Sequence, residues 1–126
     1  MAVDMFLKIV GVNGEAKDKE HGNEIDVLAW NWGMANKGSA HALGGAGSGK
    51  VNVQDVQVTK YVDSASPKLM KACCSGTHYP TALLTVRKAG GTSPVEYIKI
   101  KMEAVFISSV STGGTKVEIN FADLCR

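Results

Sequence analysis

Residues 44–50 read Gly-Gly-Ala-Gly-Ser-Gly-Lys, the first stretch whose spacing suggests chemistry. It satisfies the G-x-x-x-x-G-K part of a phosphate-binding loop, with Lys50 as the cation. That loop needs a Ser or Thr next, for magnesium, and a helix N-terminus to aim N–H groups at phosphate. Here Val51 follows, and Val51-Asn52-Val53 alternates like a strand. The segment therefore reads as a loop with a lysine at its base. His21, His41 and His78 all fall in expected loops, and none shares an element with another ligand at metal spacing. His21 has Glu20 and Glu24 nearby in a charged stretch, and all three histidines read as surface residues. Cys73 and Cys74 are adjacent, which is neither a redox nor a zinc spacing. They read as small packing residues on a helix. Trp30 and Trp32 could stack on a ligand, but alternating aromatics in a strand read first as core. Lys99, Lys101 and Glu103 share a strand face, either a solvated one or a polar groove. No catalytic residue, metal ligand or cofactor site is expected.

The elements that would position these residues are mostly strands, because the apolar pattern has period two. Val3, Met5, Leu7 and Ile9 mark a strand over 2–10, followed by a charged loop over 15–23. A second strand is expected over 24–33, with Leu28, Trp30 and Trp32 on one face and Ile25, Val27, Ala29 and Asn31 on the other. Residues 34–50 form a long Gly- and Ser-rich loop, a length usually reserved for function or contact. A third strand over 51–62 changes register at Gln54-Asp55, which suggests a bulge. One helix spans 67–75, capped by Ser66, with Pro67 at its first position and Gly76 beyond its end. It is too short to stand alone and must pack on the sheet. Strands over 81–88, 95–110 and 116–125 complete the chain, with turns at Gly90-Gly91 and at 111–114. The long strand carries Ile98, Ile100, Met102, Ala104 and Phe106 on one face. Its other face turns from polar to apolar at Val105, so its surroundings change partway.

The chain has 126 residues, 44% of them apolar and 21% charged, enough for one domain and too apolar for disorder. Fourteen basic against twelve acidic residues give a net charge of +2, which offers no footprint for nucleic acid or a membrane surface. Three cysteines do not make a disulfide scaffold. No apolar run reaches the length of a membrane span, and the N-terminus lacks the basic lead of a signal peptide. The expectation is a mainly β two-sheet barrel or sandwich over residues 1–126, with one short helix packed on it. Apolar stretches on both strand faces and a long small-residue arm suggest a subunit that buries surface against copies of itself.

Five stretches together resemble the Hcp family, the tube protein of bacterial type VI secretion systems. They are MAVDMFLKIVGVNGEAKDKEH, EIDVLAWNWGM, GKVNVQDVQVTKYVDSASPKLMKACCSGTHYP, LTVRKAGG and VFISSVSTGG, and in order they span essentially the whole chain. The resemblance implies a homo-hexameric ring whose copies stack into a hollow tube. It also implies a contractile sheath, a baseplate and a spike protein as partners, and small effector proteins carried in the lumen. It implies no enzymatic activity and no cofactor. Expulsion from the cytoplasm without a cleaved leader agrees with the N-terminus. The Gly-rich loop resembles the family's arm toward the adjacent ring, so Gly44, Gly45, Gly47 and Lys50 are expected at ring contacts, together with Gly90 and Gly91. Asn31, small and polar, is expected to face the lumen. The family usually continues past the last strand with more β-structure and a charged tail, and were those strands absent a sheet edge would be open. Two other readings remain at this point: a stand-alone β-barrel that binds a small ligand, and a Gly-loop phosphate enzyme.

Overall fold

Alternating apolar residues draw this chain into a rolled sheet. The computed structural model describes residues 3–36, 51–88 and 95–123. Within them the elements are β1 Val3–Ile9, β2 Ile25–Asp26, β3 Ala29–Asn31, β4 Met34–Asn36, β5 Val51–Val53, β6 Val56–Tyr61, α1 Ser66–Ser75, β7 His78–Lys88, β8 Glu96–Gly113 and β9 Lys116–Asp123. Seven strands form one antiparallel sheet in the order β2-β1-β7-β8-β9-β6-β3, and β4 pairs with β5 in a separate ribbon. The mainly β fold with two sheets and one helix is thus as expected.

The two ends of the large sheet, β2 and β3, are separated in the chain only by Val27 and Leu28. The Val27 N–H donates to the Met5 carbonyl of β1 at 2.9 Å, and the Leu28 N–H donates to the Thr59 carbonyl of β6 at 2.8 Å. One split strand therefore seams both edges, and the sheet becomes a barrel. This corrects the expected continuous strand over 24–33. Ile25 and Val27 point inward before the seam, and Trp30 packs inward after it.

The interior is a row-by-row apolar packing. Leu7, Leu84 and Ile100 face one another across β1, β7 and β8, while Ile119 sits between Val58 and Val110 across β6, β9 and β8. Leu7, Leu84, Val58 and Ile119 are fully buried. β8 serves both rows by turning over. Ile98, Ile100 and Met102 face inward first, then Val105 and Ile107, and the change falls at Ala104, whose φ is +51°. Ala104 and Phe106 therefore do not share the face of Ile98, as their parity had suggested. A second shift between Ile107 and Ser109 returns even-numbered Val110 to the core.

The expected bulge at Gln54-Asp55 is a full break, with β5 in the ribbon and β6 in the barrel. Residues 34–36, expected in a loop, form β4, and β4 and β5 are mostly exposed. β7 starts three residues earlier than the alternation indicated.

The helix lays Ala65, Leu69 and Ala72 against the barrel core and packs on β8. Gly76 ends it in the left-handed conformation, at φ +68°, where a side chain would be strained. Ser66 is not the cap but the first helical residue. Its hydroxyl accepts the Asp63 N–H at 3.0 Å and a bond from the Lys60 ammonium at 2.8 Å. Lys60 is wholly buried, and it also donates to Asp63 Oδ1 at 2.5 Å and to the Tyr61 carbonyl at 2.9 Å. All three of its protons are thereby used, which is what lets an ammonium sit in a barrel wall.

The left-handed Ala104 yields a test. Ala104→Val, β-branched at positive φ, is expected to lower stability by roughly 1–3 kcal/mol in urea denaturation, and Ala104→Gly to be tolerated.

Candidate functional site

Two outer walls of the barrel differ in what covers them. On the wall formed by β3, β6, β9 and the second half of β8, register aligns Asn31, Gln57, Asn120 and Ser109 in one cross-strand row. The next row is Ala29, Thr59, Glu118 and Ser111. Residues facing each other across strands stand about 5 Å apart, so the first row is a continuous polar strip and the second is polar from Thr59 onward. The strip borders a concavity of about 440 Å³ lined by Asn31, Asn52, Val53, Gln54, Asp55, Gln57 and Asn120. Five of those seven side chains are carboxamides, which donate and accept hydrogen bonds without carrying charge. At its margin, Ser108 Oγ lies 2.7 Å from Asp55 Oδ2 and 3.1 Å from the Asn120 carbonyl, tying the β8 irregularity to the β5–β6 link. This wall is hydrophilic and open, with Asp55 and Glu118 as carboxylates among its amides and hydroxyls.

The opposite wall, on β1, β7 and the first half of β8, is armoured. Residues 13–24 fold over it as a strap, held internally by bonds from the Gly14 N–H to the Asn23 carbonyl and from the Ala16 N–H to the Glu24 carbonyl. Gly14 allows this, because a Cβ there would collide with the Glu24 backbone. Beneath the strap, Phe6, Thr85 and Arg87 are buried although they point outward from the barrel. Arg87 stands over the Phe6 ring with its guanidinium carbon 5.0 Å from the centroid, and pairs with Asp18 and Asp4. The Arg87 bond holds the Asp18 carboxyl down at about 2, with the Glu20 and His21 backbone N–H groups adding to it against some desolvation. Arg87 Nε meets no acceptor among the described residues.

The candidates from sequence separate accordingly. Asn31 is exposed at the head of the carboxamide row. Gly44, Gly45, Gly47, Lys50, Gly90, Gly91, His41 and Cys125 lie outside the described residues, although the residue after Lys50 opens a strand rather than a helix. Trp30 packs on the core, but Trp32 is 40% exposed and donates its Nε1–H to the Gln54 carbonyl, contrary to the expectation of two core aromatics. Both tryptophans follow the seam with the same parity, but β3 ends at Asn31, so Trp32 lies past the last paired residue of that strand. Cys73 packs against the core while Cys74 faces solvent, and both are free thiols. Lys99, Lys101 and Glu103 are a solvated face, with Lys101 paired to Glu103 and Lys99 to Glu96. His21 is not an ordinary surface histidine, for its ring is stacked on Phe6 and bonded to Glu96, 75 residues away. Gln57 and Asn120 were missed from sequence, where each is one amide in an alternating strand. Only the pairing register joins them to Asn31.

The chain was compared with known proteins. A family model described as type VI secretion system effector, Hcp, matches residues 6–124. Protein hcp1 of Pseudomonas aeruginosa is 58% identical over 132 residues, covering 98% of this chain and 82% of that protein. The crystal structure of Hcp1 from Salmonella typhimurium superposes with a TM-score of 0.82 at 37% identity, covering 98% of this chain and 83% of that one. A type VI secretion system effector from Yersinia pestis gives a TM-score of 0.80 at 38% identity, over 95% of this chain and 84% of that one.

Removing the armour's anchor should be costly. Arg87→Met leaves Asp18 and Asp4 unpaired, and is expected to lower stability by about 1–3 kcal/mol in urea denaturation while the far-ultraviolet β signal is kept.

Proposed function

We propose that this chain, which belongs to the Hcp family of type VI secretion system proteins, closes as a homo-hexameric ring whose open polar wall faces the lumen. The family is one of type VI secretion system tube and effector proteins, and we read this chain as a structural member of it rather than a catalyst. The observation that carries the reading is the contrast between the walls. A lumen that must pass varied cargo needs a surface that hydrogen-bonds weakly and does not grip apolar groups. The Asn31–Gln57–Asn120–Ser109 row has that chemistry. The strapped wall would lie outside.

Exposed apolar side chains on the ribbon, Met34 and Val51, together with Trp32, supply surface for subunit contact. The ribbon carries the chain toward Gly44, Gly45, Gly47 and Lys50. We assign these, with Gly90 and Gly91 between β7 and β8, to contacts between stacked rings. Sheath, baseplate and spike proteins are the partners of such a tube, and small effector proteins its cargo, with export from the cytoplasm needing no cleaved leader.

The alternative of a small-ligand barrel finds less support. The barrel interior is filled by side chains, and the apolar cavity beside Trp32, Met102 and Phe121 holds about 160 Å³. That is small against the roughly 300–1,000 Å³ of ligand pockets.

Native mass spectrometry tests the ring, and a hexamer is the expected species. Asn31→Trp, at an exposed position, should leave hexamers and stability unchanged within about 0.5 kcal/mol. It should weaken retention of a co-expressed effector at least tenfold. A monomer would remove the tube reading, and unchanged retention would remove the lumen assignment of Asn31.

A further inference from the structure

The strap's tip is held by one imidazole between two carboxylates. His21 Nδ1 lies 2.9 Å from Glu24 Oε2, and its Nε2 lies 2.6 Å from Glu96 Oε2. The ring stacks on Phe6 at 4.6 Å between centroids with an interplanar angle of 9°, so it is fixed in place. Ionised carboxylates only accept hydrogen bonds, and a neutral imidazole has one N–H to give. Both contacts can be bonds only when both ring nitrogens carry hydrogen.

We propose that residues 13–24 form a pH-operated latch, whose tip is pinned to β8 while His21 is an imidazolium and comes free when that proton leaves. The proton goes to solvent, and one carboxylate is left facing a nitrogen lone pair at hydrogen-bond distance. The groups around the ring come from four places. Glu20, Glu24 and the Asp18 carboxylate, which accepts the His21 N–H at 3.2 Å, belong to the strap itself. β1 supplies Phe6 and Asp4, β7 supplies Arg87, and β8 supplies Glu96 with Lys99 at 3.2 Å from it.

Burial pushes the His21 value down, but the bonds to Glu96 and Glu24 outweigh it, and the balance is upward. Glu96 moves the other way, held low first by the bond to His21 and then by that to Lys99. The signs define a window. The raised histidine contributes stability fully below its unfolded value of about 6.5, and loses it as pH rises through the folded value. Glu96 contributes above its unfolded value of about 4.3, and loses it as pH falls through its depressed folded value. The latch is therefore shut in mildly acidic solution and opens toward alkaline pH. The Asp18–Arg87 joint remains, because Asp18 stays ionised throughout that range. None of this depends on the assignment of the polar wall to a lumen.

The test is an NMR titration of the full chain from pH 5 to 9. The imidazole ¹⁵N shifts report the proton, and nuclear Overhauser contacts between the His21 and Phe6 rings report the latch. The contacts are expected at pH 6 and should disappear in step with a titration centred above about 6.5. Glu96→Gln should move both midpoints down by roughly half a unit or more, since it removes one charge that favours the imidazolium. Ring contacts that persist unchanged through deprotonation would overturn the proposal. So would a His21 already neutral at pH 6, or midpoints indifferent to Glu96→Gln.

Discussion

An open sheet of seven strands leaves two unpaired edges, and every other feature of this fold depends on where those edges go. They meet across the Val27–Leu28 link, where consecutive N–H groups bond opposite ends of the sheet, Met5 on one side and Thr59 on the other. Closure removes the pairing hazard of both edges. It also forces the geometry that follows. A strand that ends one edge and begins the other must change its inward face at the link, and Val27 and Trp30 do so. Once the sheet is closed, its longest strand must serve two differently oriented parts of the wall, and the left-handed Ala104 is where β8 turns to do that.

The closed barrel has an inside filled by side chains apart from the cavity of about 160 Å³ beside Trp32, so its candidate contact surfaces are the outer walls. The two walls are finished differently. One is buried a second time, by a charged strap that covers Phe6 and Arg87 with Asp18 and His21. The other is left bare and hydrophilic, with a carboxamide row in place of a strap. The fully buried Lys60 belongs to the same economy of polar groups. It organises the turn into the helix by satisfying Asp63, Ser66 and the Tyr61 carbonyl together.

Much of this was legible before any coordinates. Period-two alternation placed β1, β7, β8 and β9, and Pro67 with Gly76 placed the helix, because local sterics and side-chain alternation act within a few residues. The break at Gln54-Asp55 was visible as a change of parity, though not that it separates two sheets. The split of residues 24–33 was not visible. Ile25, Val27, Trp30 and Trp32 are all apolar, and only hydrogen bonds to strands far away in sequence decide which of them point inward. Ser66 looked like a helix cap on chemistry alone, and a buried lysine six residues earlier claimed its hydroxyl instead.

The site divides along the same line. Five stretches of sequence carried the family, and Asn31 stood out as a small amide on a strand of apolar and aromatic neighbours. By itself the sequence determined the strand-rich class, the helix with its end, and membership in the Hcp family. Such signals are local, or are spread as identities along the chain. The tertiary structure alone decided that Asn31, Gln57 and Asn120 stand in one row, that His21 meets Glu96, and that Arg87 lies buried outside its own barrel. Those are meetings of residues as far apart in the chain as Asp4 and Arg87, 83 positions. Strand register and closure set them, and register is a property of pairs of strands, which no single stretch of residues contains.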